Sequence, residues 1–434
     1  MVKVLSRALG LKQVRRQRSG KSAWRIRTLA ATVATAFCLL GAVGLAPAEA
    51  APGPQATIAF SSPNLDQAPA TAASAEPCFK ASFPTCSSSD PDVSFESVSE
   101  GDTSSCTWKS VVDWGDGTTN TYTIPGGADG AVLFTYEHTY SAPGTYNISQ
   151  TGTTTQGSCP SNPFTLQFTL TGTATQKIHM AAIGDSYSAG EGTGIYYTDS
   201  GTCHRSPDAW PKLYSVTSSI VTMPHANFLA CSGADSDDLI NTPFKGQQPQ
   251  LHVLSEITPA PKIITLTIGG NDPDVGFSNL LADCYHKNCI RNGVIAAAAA
   301  SIQKEKAVLE TDYVLVDIAD PSAKLLVVGY PLIFDSNSFC GIRWLGAGFK
   351  PAELAALNNL ALEFDNVISE AAAHDGVTYI PVTNALAGHE MCSSDPWVVQ
   401  VDARGLWQQQ QGHPTIPGQE AIAAIVRSYI NSHF

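Results

Sequence analysis

The sequence has few basic residues, and many of them are confined to one end. Only 25 residues are Lys or Arg, against 38 Asp or Glu. Positions 1–50 contain nine of the basic residues and one of the acidic residues. Residues 51–434 keep 16 basic and 37 acidic residues, a net charge of −21 compared with −13 for the whole chain. Because no basic patch offsets this charge, nucleic acid and anionic membranes are excluded as partners.

The sequence also lacks an apolar run long enough to cross a membrane. The apolar segment Leu29–Leu45 falls short of the ~20 residues that a membrane span needs. It follows a basic region and precedes "AEA", a small-residue cleavage site, an order typical of a secretory signal peptide. We therefore expect residues 1–50 to be a signal peptide and the mature protein to be secreted, not an integral membrane protein.

The cysteines lack the spacing of a metal site. No C-x-x-C pair and no cluster of histidines is present, so a zinc site has no support. Cys38 lies in the expected signal peptide, and the remaining ten cysteines are an even number, which predicts disulfide bonds in an exported protein. We expect one closed set in each half of the chain. The sequence leaves the pairing of the N-terminal four open: Cys78, Cys86, Cys106 and Cys159.

The chain changes character along its length. Residues 51–77 are rich in Ala, Pro and Ser, which predicts a disordered leader. From about 78 to 173, short alternating runs are separated by turn signals, a pattern typical of an all-β sandwich. The runs are "VSFESV" (93–98), "KSVVDW" (109–114), "AVLFTYEHTY" (131–140), "TYNISQTG" (145–152) and "FTLQFTLTG" (164–172).

Two phrases in this β region occur in a specific order, "WGDG" (114–117) and "HTYSAPGTYNI" (138–148). Together they resemble the PKD domain, an immunoglobulin-like sandwich, and this resemblance implies contact with a polysaccharide or a cell surface. "DWGDG" lacks the carboxylate spacing of a calcium loop, so a tight hairpin turn is the better interpretation.

From 177 to 434, apolar strand-like runs alternate with helical stretches, which predicts an α/β fold with a parallel sheet covered on both faces. The predicted strands are Ile178–Ile183, Ala226–Ala230, Lys262–Ile268, Lys324–Gly329 and Val377–Val382. The predicted helices include Ala296–Leu309, Pro351–Ala373 and Gly418–Asn431.

Three of these strands are followed by polar, glycine-flanked turns: "GDS" (184–186), "CSGAD" (231–235) and "GGND" (269–272). Open α/β sheets bind ligands beyond the carboxyl ends of their strands, so we expect the three turns to converge. Acyl transfer needs a hydroxyl, a base and donors aimed at an oxyanion. Ser186 and His413 can supply the first two, while the amides of Ser186 and Gly233 and the side chain of Asn271 can supply the donors. Asp272 and Asp274 are best interpreted as caps of the following helix.

The blocks "GDSYSAGEG", "ACSGA", "GGND" and the terminal "GHP…G" resemble, as an ordered set, those of the SGNH or GDSL hydrolases. The resemblance covers about residues 178–434. It implies a flavodoxin-like parallel sheet and ester cleavage through an acyl-enzyme, without cofactor or metal. Carried over, Ser186 is the nucleophile, His413 is the base, and Gly233 and Asn271 complete the oxyanion hole with Ser186.

One position departs from the family pattern. The family usually has Asp three residues before the histidine, where this sequence has Gln410. Some actinobacterial members orient the histidine with a backbone carbonyl instead, so the resemblance allows a Ser–His dyad. The other interpretation is a displaced acid, for which Asp402 and Asp395 are the candidates.

The six cysteines of the second region pair naturally with their sequence neighbours, and this pattern looks like the secreted actinobacterial branch of the family. The expected pairs are Cys203–Cys231, Cys284–Cys289 and Cys340–Cys392. The first pair would brace the loop after the nucleophile against the loop that carries Gly233.

These observations predict a secreted serine esterase or lipase that hydrolyses carboxylic esters. The alternatives are a carbohydrate esterase that deacylates a polysaccharide, and a catalytically dead surface-binding protein. We expect substrate choice to depend chiefly on loops 193–225 and 273–292.

Overall fold

The structure is a computed structural model that describes residues 56–61, 85–88, 92–100, 106–125, 131–157, 164–171, 177–286, 288–337, 340–342, 347–400 and 409–434. The predicted signal peptide lies outside the described residues, as do Cys78, Cys159 and Asp402.

The N-terminal part of the described chain is all-β. Its strands form a three-stranded antiparallel sheet, in the order β1-β3-β6, and a five-stranded sheet, in the order β2-β8-β7-β4-β5. Only the pair β2–β8 is parallel. The strands are β1 (Ala56–Ser61), β2 (Thr85–Ser88), β3 (Asp92–Glu100), β4 (Thr107–Asp113), β5 (Thr119–Pro125), β6 (Ala131–Thr139), β7 (Gly144–Gln156) and β8 (Phe164–Leu170).

The two sheets share one buried cluster. Phe95 and Tyr136 of the first sheet contribute to the same core as Val112, Ile148 and Phe168 of the second. The "DWGDG" segment forms the turn of the β4–β5 hairpin, in which the amide of residue 114 donates to the carbonyl of residue 118. The alternating apolar positions of these strands explain why both sheets bury one face.

The expectation of a disordered leader over residues 51–77 is wrong for one segment of it. Residues Ala56–Ser61 form β1, which pairs with β3 from Ala56↔Ser99 to Ser61↔Ser94. The physical reason is the alternation in "ATIAFS", which suits an edge strand despite the surrounding Ala, Pro and Ser. The rest of the leader lies outside the described residues.

The C-terminal part contains a five-stranded parallel sheet, in the order β10-β9-β11-β12-β15. Numbered along this part of the chain, the order is 2-1-3-4-5, that of flavodoxin-like folds. Its strands are β9 (Ile178–Gly184), β10 (Val221–Thr222), β11 (Ile263–Thr267), β12 (Lys324–Val328) and β15 (Thr378–Ile380). A separate hairpin pairs β13 (Cys340–Ile342) with β14 (Ala347–Phe349).

The strand predicted over Ala226–Ala230 is wrong. The second strand is the short β10, and residues His225–Asn227 form a 3-10 turn after Pro224. Phe228 forms a parallel bridge to Ala182, and the amides of Leu229 and Cys231 donate to the carbonyls of Ala182 and Gly184. Proline fixes the preceding chain in a turn, so the segment begins to pair with β9 at Phe228 and not at Ala226.

Helices cover both faces of this sheet. Successive side chains of β9 alternate between two buried clusters, Ala181 and Ile183 in one, Met180 and Ala182 in the other. Helices α6 and α7 pack on the first cluster, and α2 and α8 on the second. The helices are α1 (Ser186–Ala189), α2 (Trp210–Thr217), α3 (Ser236–Ile240), α4 (Gln250–Leu254), α5 (Phe277–His286), α6 (Val294–Ala319), α7 (Pro351–His374) and α8 (Ile416–His433).

Three disulfide bonds join sequence neighbours in this part, and they are the pairs that the resemblance implies. They are Cys203–Cys231, Cys284–Cys289 and Cys340–Cys392. In the β-rich part, Cys86 lies in β2 and Cys106 is buried and disulfide-bonded. Within the part of the chain that the structure describes, no helix combines the length and the apolar character needed to span a bilayer.

Glu137 of β6 connects the β-rich part to the α/β part. Its carboxylate accepts hydrogen bonds from the Lys212 ammonium, at 3.0 Å, and from the His225 backbone amide. Burial would raise the pKa of Glu137, but the nearby Lys212 and His225 hold it below its ordinary value. The two parts therefore meet through a paired, charged contact.

Candidate functional site

The nucleophile candidate lies at the end of β9, between β10 and β11 in the sheet. Gly184 has a left-handed φ of 118°, and a Cβ at this position would overlap the Thr267 carbonyl oxygen, so only glycine fits. Asp185 caps α1 by accepting from the Tyr187 amide at 2.9 Å. Ser186 is the first residue of α1 and is 5% exposed. The turn therefore holds the hydroxyl at the carboxyl end of the sheet.

The base candidate comes from the opposite end of the sequence. His413 precedes α8, and its Nε2 lies 2.7 Å from the Ser186 Oγ. The Tyr187 hydroxyl donates to the Gly412 carbonyl at 2.9 Å, which ties the nucleophile turn to the histidine loop. Burial lowers the pKa of His413, which favours the neutral imidazole that can accept a proton.

The other ring nitrogen of His413, Nδ1, points away from Ser186. This atom is buried and makes no hydrogen bond of standard geometry with the described residues. The backbone carbonyls of residues 409–411 nevertheless lie close enough to raise the pKa of the ring. The Gln410 side chain does not reach the ring; its amide donates to the Tyr196 hydroxyl at 3.2 Å. Asp395 is 74% exposed and its carboxylate pairs with His389 at 3.2 Å.

The three expected oxyanion donors lie on the turns after β9, β10 and β11. The Asn271 amide donates to the Ala234 carbonyl at 3.0 Å, which joins the third turn to the second and leaves one N–H for another acceptor. Gly233 has a left-handed φ of 84°, and its nearest side-chain atom would lie 3.7 Å from an added Cβ. Ser186 and Asn271 line the cleft, whereas Gly233 is not among the residues that line it.

A tyrosine that sequence reasoning missed connects two of these turns. The Tyr330 hydroxyl donates to the Asp185 carboxylate at 2.6 Å and accepts from the Gly270 amide at 3.1 Å. Burial raises the pKa of Asp185 to about 7, although the hydrogen bonds from the Tyr330 hydroxyl and the Tyr187 amide oppose the shift. Tyr330 lies two residues after the end of β12, and its position after a strand end is the signal that could have identified it.

Behind Asn271 lies a group of buried carboxyl side chains, Asp272, Glu305 and Asp312, here called the oxyanion-side cluster. The interpretation of Asp272 as a cap of the following helix is wrong: its carboxylate accepts from the Ser236 amide at 2.9 Å, at the start of α3. The Ser236 hydroxyl donates to Asp312 at 2.6 Å. Burial next to other carboxylates raises the pKa of Asp272, takes that of Asp312 to about 7 and that of Glu305 to about 9.

The cleft beside Ser186 encloses about 600 Å³, counted with the solvent space at its mouth. Loop 273–292 contributes to its wall as expected, but loop 193–225 does not contribute any of the described lining residues. The remaining apolar wall comes from the segment after β12, which neighbours β11 in the sheet, and from α7. The apolar lining residues are Phe277, Leu281, Pro331, Ile333 and Ala361.

A second residue that sequence reasoning missed is Glu191. It follows the nucleophile helix in "SAGEG", is 0% exposed, and accepts hydrogen bonds from three loops. Its signal in the sequence is one acid in an otherwise small-residue loop. Among the described residues, no group of three or more His, Cys, Asp or Glu side chains could hold a metal ion.

The chain is similar in sequence to known proteins. A family model described as the GDSL-like Lipase/Acylhydrolase family matches residues 182–421. The chain is 32% identical over 248 residues to a lipase of Streptomyces rimosus, covering 56% of this chain and 83% of that protein. It is 31% identical over 242 residues to Lipase 1 of Streptomyces coelicolor, covering 55% and 81%. The crystal structure of the extracellular lipase from Streptomyces rimosus aligns with 31% identity and a TM-score of 0.49, covering 58% of this chain and 99% of that one.

Proposed function

The chain belongs to the GDSL-like lipase and acylhydrolase family and is an ester hydrolase, and we propose that it works through an acyl-enzyme on Ser186 with His413 as the base. The observation that carries this proposal is the 2.7 Å contact between the Ser186 Oγ and the His413 Nε2. That distance lies within the reach required of a nucleophile and its base.

The proposed reaction has two halves. As the Ser186 Oγ attacks the ester carbon, its proton passes to the His413 Nε2 and the carbonyl electron pair moves to the oxygen. Collapse of this intermediate breaks the bond to the alcohol, which leaves with the proton from His413. A water molecule then repeats the sequence on the acyl-enzyme, releasing the acid and regenerating Ser186.

The oxyanion that develops on the ester oxygen is the charge that most needs stabilisation. We assign its hydrogen-bond donors as the backbone amides of Ser186 and Gly233 and the free N–H of the Asn271 side chain. The hydrogen bond from Asn271 to Ala234 supports this assignment because it fixes the amide plane before substrate arrives.

We assign to backbone carbonyls the role of fixing the tautomer of His413. A proton on Nδ1 would face the carbonyls of residues 409–411, which leaves Nε2 free to accept from Ser186. Two facts favour this dyad: the Gln410 side chain is bonded to Tyr196, and Asp395 is exposed beside His389.

We propose a lipid ester as the substrate class. The apolar wall of the cleft suits an acyl chain, since burying each CH₂ group is worth about 0.8 kcal/mol. The names of the Streptomyces relatives, lipases, point the same way. An acylated polysaccharide is the second substrate candidate, resting on the PKD-like motifs of the β region.

We also propose that the protein is secreted and that its β region is a PKD-like sandwich that contacts a polysaccharide or cell surface. The signal-peptide pattern of residues 1–50 and three disulfide bonds in the α/β part support export. The shared core of the two sheets supports a sandwich.

The experiment compares the wild-type protein with Ser186→Ala and His413→Ala on a short-chain nitrophenyl ester, triglycerides, phospholipids and acetylated xylan. Both variants should lose kcat by several orders of magnitude. Ser188→Ala, a buried neighbour outside the contact, is the matched control. Full activity in Ser186→Ala would reject the acyl-enzyme, and preference for acetylated xylan would favour the carbohydrate substrate. No turnover of any ester by the wild type would favour a dead binding protein.

A further inference from the structure

Glu191 is a fully buried carboxylate surrounded by hydrogen-bond donors. Its Oε2 lies 2.8 Å from the His204 Nδ1, 2.6 Å from the Ser232 hydroxyl and 3.0 Å from the Gln409 amide. Its Oε1 accepts from the Tyr196 hydroxyl at 3.2 Å. Burial alone would raise the pKa of Glu191, but the hydrogen bonds from His204 and Ser232 hold it below its ordinary value, so the side chain is an anion.

The donors to Glu191 join the loops that form the site. Ser232 belongs to the turn that carries Gly233, and Gln409 belongs to the histidine loop. The Gln409 amide also donates to the Ser232 hydroxyl at 2.8 Å, so these groups close a triangle with Glu191. This triangle anchors Gln409, the first of the three residues whose backbone raises the pKa of His413.

The glycine after Glu191 brings this segment against the base. Gly192 has a left-handed φ of 97°, and a Cβ there would lie 2.9 Å from the Cβ of His413 and 2.7 Å from the Pro414 carbonyl oxygen. The backbone of the Glu191 segment therefore packs directly on the histidine. Burial lowers the pKa of His413, and the charge of Glu191 is the largest influence that raises it.

We propose that Glu191 is the positioning residue for His413: it anchors the loop that orients the ring, and its charge stabilises the imidazolium formed when His413 takes the proton of Ser186. The proposal rests on the proposed acyl transfer. In this arrangement the acid comes from the loop after the nucleophile, whereas the family usually has Asp at the position of Gln410. Because the low-dielectric interior screens charge weakly, a buried anion can act on the ring without bonding to it.

Other charged and titratable groups lie near Glu191 and His413. The Lys245 ammonium donates to the Ser232 carbonyl at 2.6 Å and feels the charge of Glu191. The His204 ring stacks on Tyr196 with centroids 4.4 Å apart, and Tyr187 lies against His413 with centroids 5.2 Å apart. Removal of the anion would leave Asp238 as the remaining carboxylate that acts on Lys245, and the Lys245 charge would then disfavour the imidazolium further.

The decisive variant is Glu191→Gln, which keeps the shape and removes the charge. We expect kcat to fall by about 10- to 100-fold, with KM changed less than about threefold. This loss is smaller than the ~10⁴-fold loss of kcat expected when an acid hydrogen-bonded directly to the histidine is replaced. The acidic limb of kcat/KM should move to lower pH, because the pKa of His413 falls without the anion. Glu256→Gln, the same change on an exposed side chain, is the matched control.

A second variant separates anchoring from charge. Gln409 is exposed, so Gln409→Ala should fold, and it breaks the tie between Glu191 and the histidine loop. We expect kcat to fall by about three- to tenfold while the acidic limb stays near the wild-type position, because the anion remains. Wild-type kcat in this variant would overturn the anchoring role, even if Glu191→Gln failed to fold.

A measurement that does not depend on turnover completes the test. The pKa of His413 is read by NMR in Ser186→Ala and in Ser186→Ala with Glu191→Gln. A lower pKa in the second protein supports the proposal even if Ser186 is not the nucleophile. An unchanged pKa, or a loss of kcat without movement of the acidic limb, would overturn the electrostatic role.

Discussion

Buried carboxyl side chains flank the site on two sides, a single one on the histidine side and a cluster on the oxyanion side, and the two sides differ in protonation. The histidine-side carboxylate, Glu191, and the oxyanion-side residue Glu305 are 0% and 1% exposed. Glu191 accepts from four donors and its pKa is lowered, whereas Glu305 faces Asp272 and Asp312 and its pKa is raised to about 9. Burial is nearly equal, so the neighbours decide whether a buried carboxyl group carries charge.

The difference fits the proposed chemistry on each side. A negative charge beside His413 favours the imidazolium, while a negative charge behind Asn271 would disfavour the oxyanion. The oxyanion-side cluster avoids much of that charge by sharing protons, and it still fixes the turn through the bond from the Ser236 amide to Asp272. The charges and dipoles around the reacting atoms are thus arranged before substrate binds.

The largest effect is expected on the oxyanion side. Asn271→Ala should lower kcat by about 10²–10³-fold with a modest change in KM, the usual cost of one oxyanion donor. Steady-state kinetics on a nitrophenyl ester measures this, with the exposed Asn292→Ala as control. Near-normal kcat would show that Asn271 only holds the Ala234 carbonyl.

The next largest effect tests the close packing on the histidine side. Gly192→Ala should lower kcat by about tenfold and cost about 1–3 kcal/mol of stability, because the new Cβ meets His413 and the φ is left-handed. Gly194→Ala shares the left-handed φ but meets open space, so it measures strain alone. Equal kcat in the two variants would contradict the contact as the cause.

The pH dependence of stability tests whether the oxyanion-side cluster is protonated. Raised folded-state pKa values mean that the folded protein binds more protons than the unfolded chain between about pH 4 and 9, so stability should fall as pH rises through this window. Glu305→Gln should reduce that fall by a few degrees in Tm between pH 5 and pH 9, since 1 kcal/mol is about 2–4 °C. The exposed Glu420→Gln should behave as wild type. A parallel decline in all three proteins would mean that Glu305 is ionised.

The smallest effect is expected at Gln410. Its side chain reaches only Tyr196 among the described contacts, so Gln410→Ala should keep kcat within about threefold of wild type. A loss as large as that of Glu191→Gln would assign the orienting role to the Gln410 side chain itself.

The strands and the turns after them could be predicted from sequence because both rest on local patterns. Apolar runs located β9, β11 and β12 within one or two residues, and the glycine-flanked turns located Ser186 and Asn271. The pattern failed at Ala226–Ala230, where the chain begins as a 3-10 turn and contacts β9 through one bridge and a few backbone hydrogen bonds. Burial and ladder formation select the same residue types, so composition cannot separate them.

The sequence by itself determined the family, the parallel sheet and the approach of Ser186 and His413, because each depends on short motifs in a fixed order. Only the tertiary structure decided which buried acids are charged and what faces the second nitrogen of His413. Glu191 and Gln409 are 218 residues apart and Asp272 and Ser236 are 36 apart. The pKa of a buried group depends on donors and charges within a few ångströms, and chain folding alone brings those groups together.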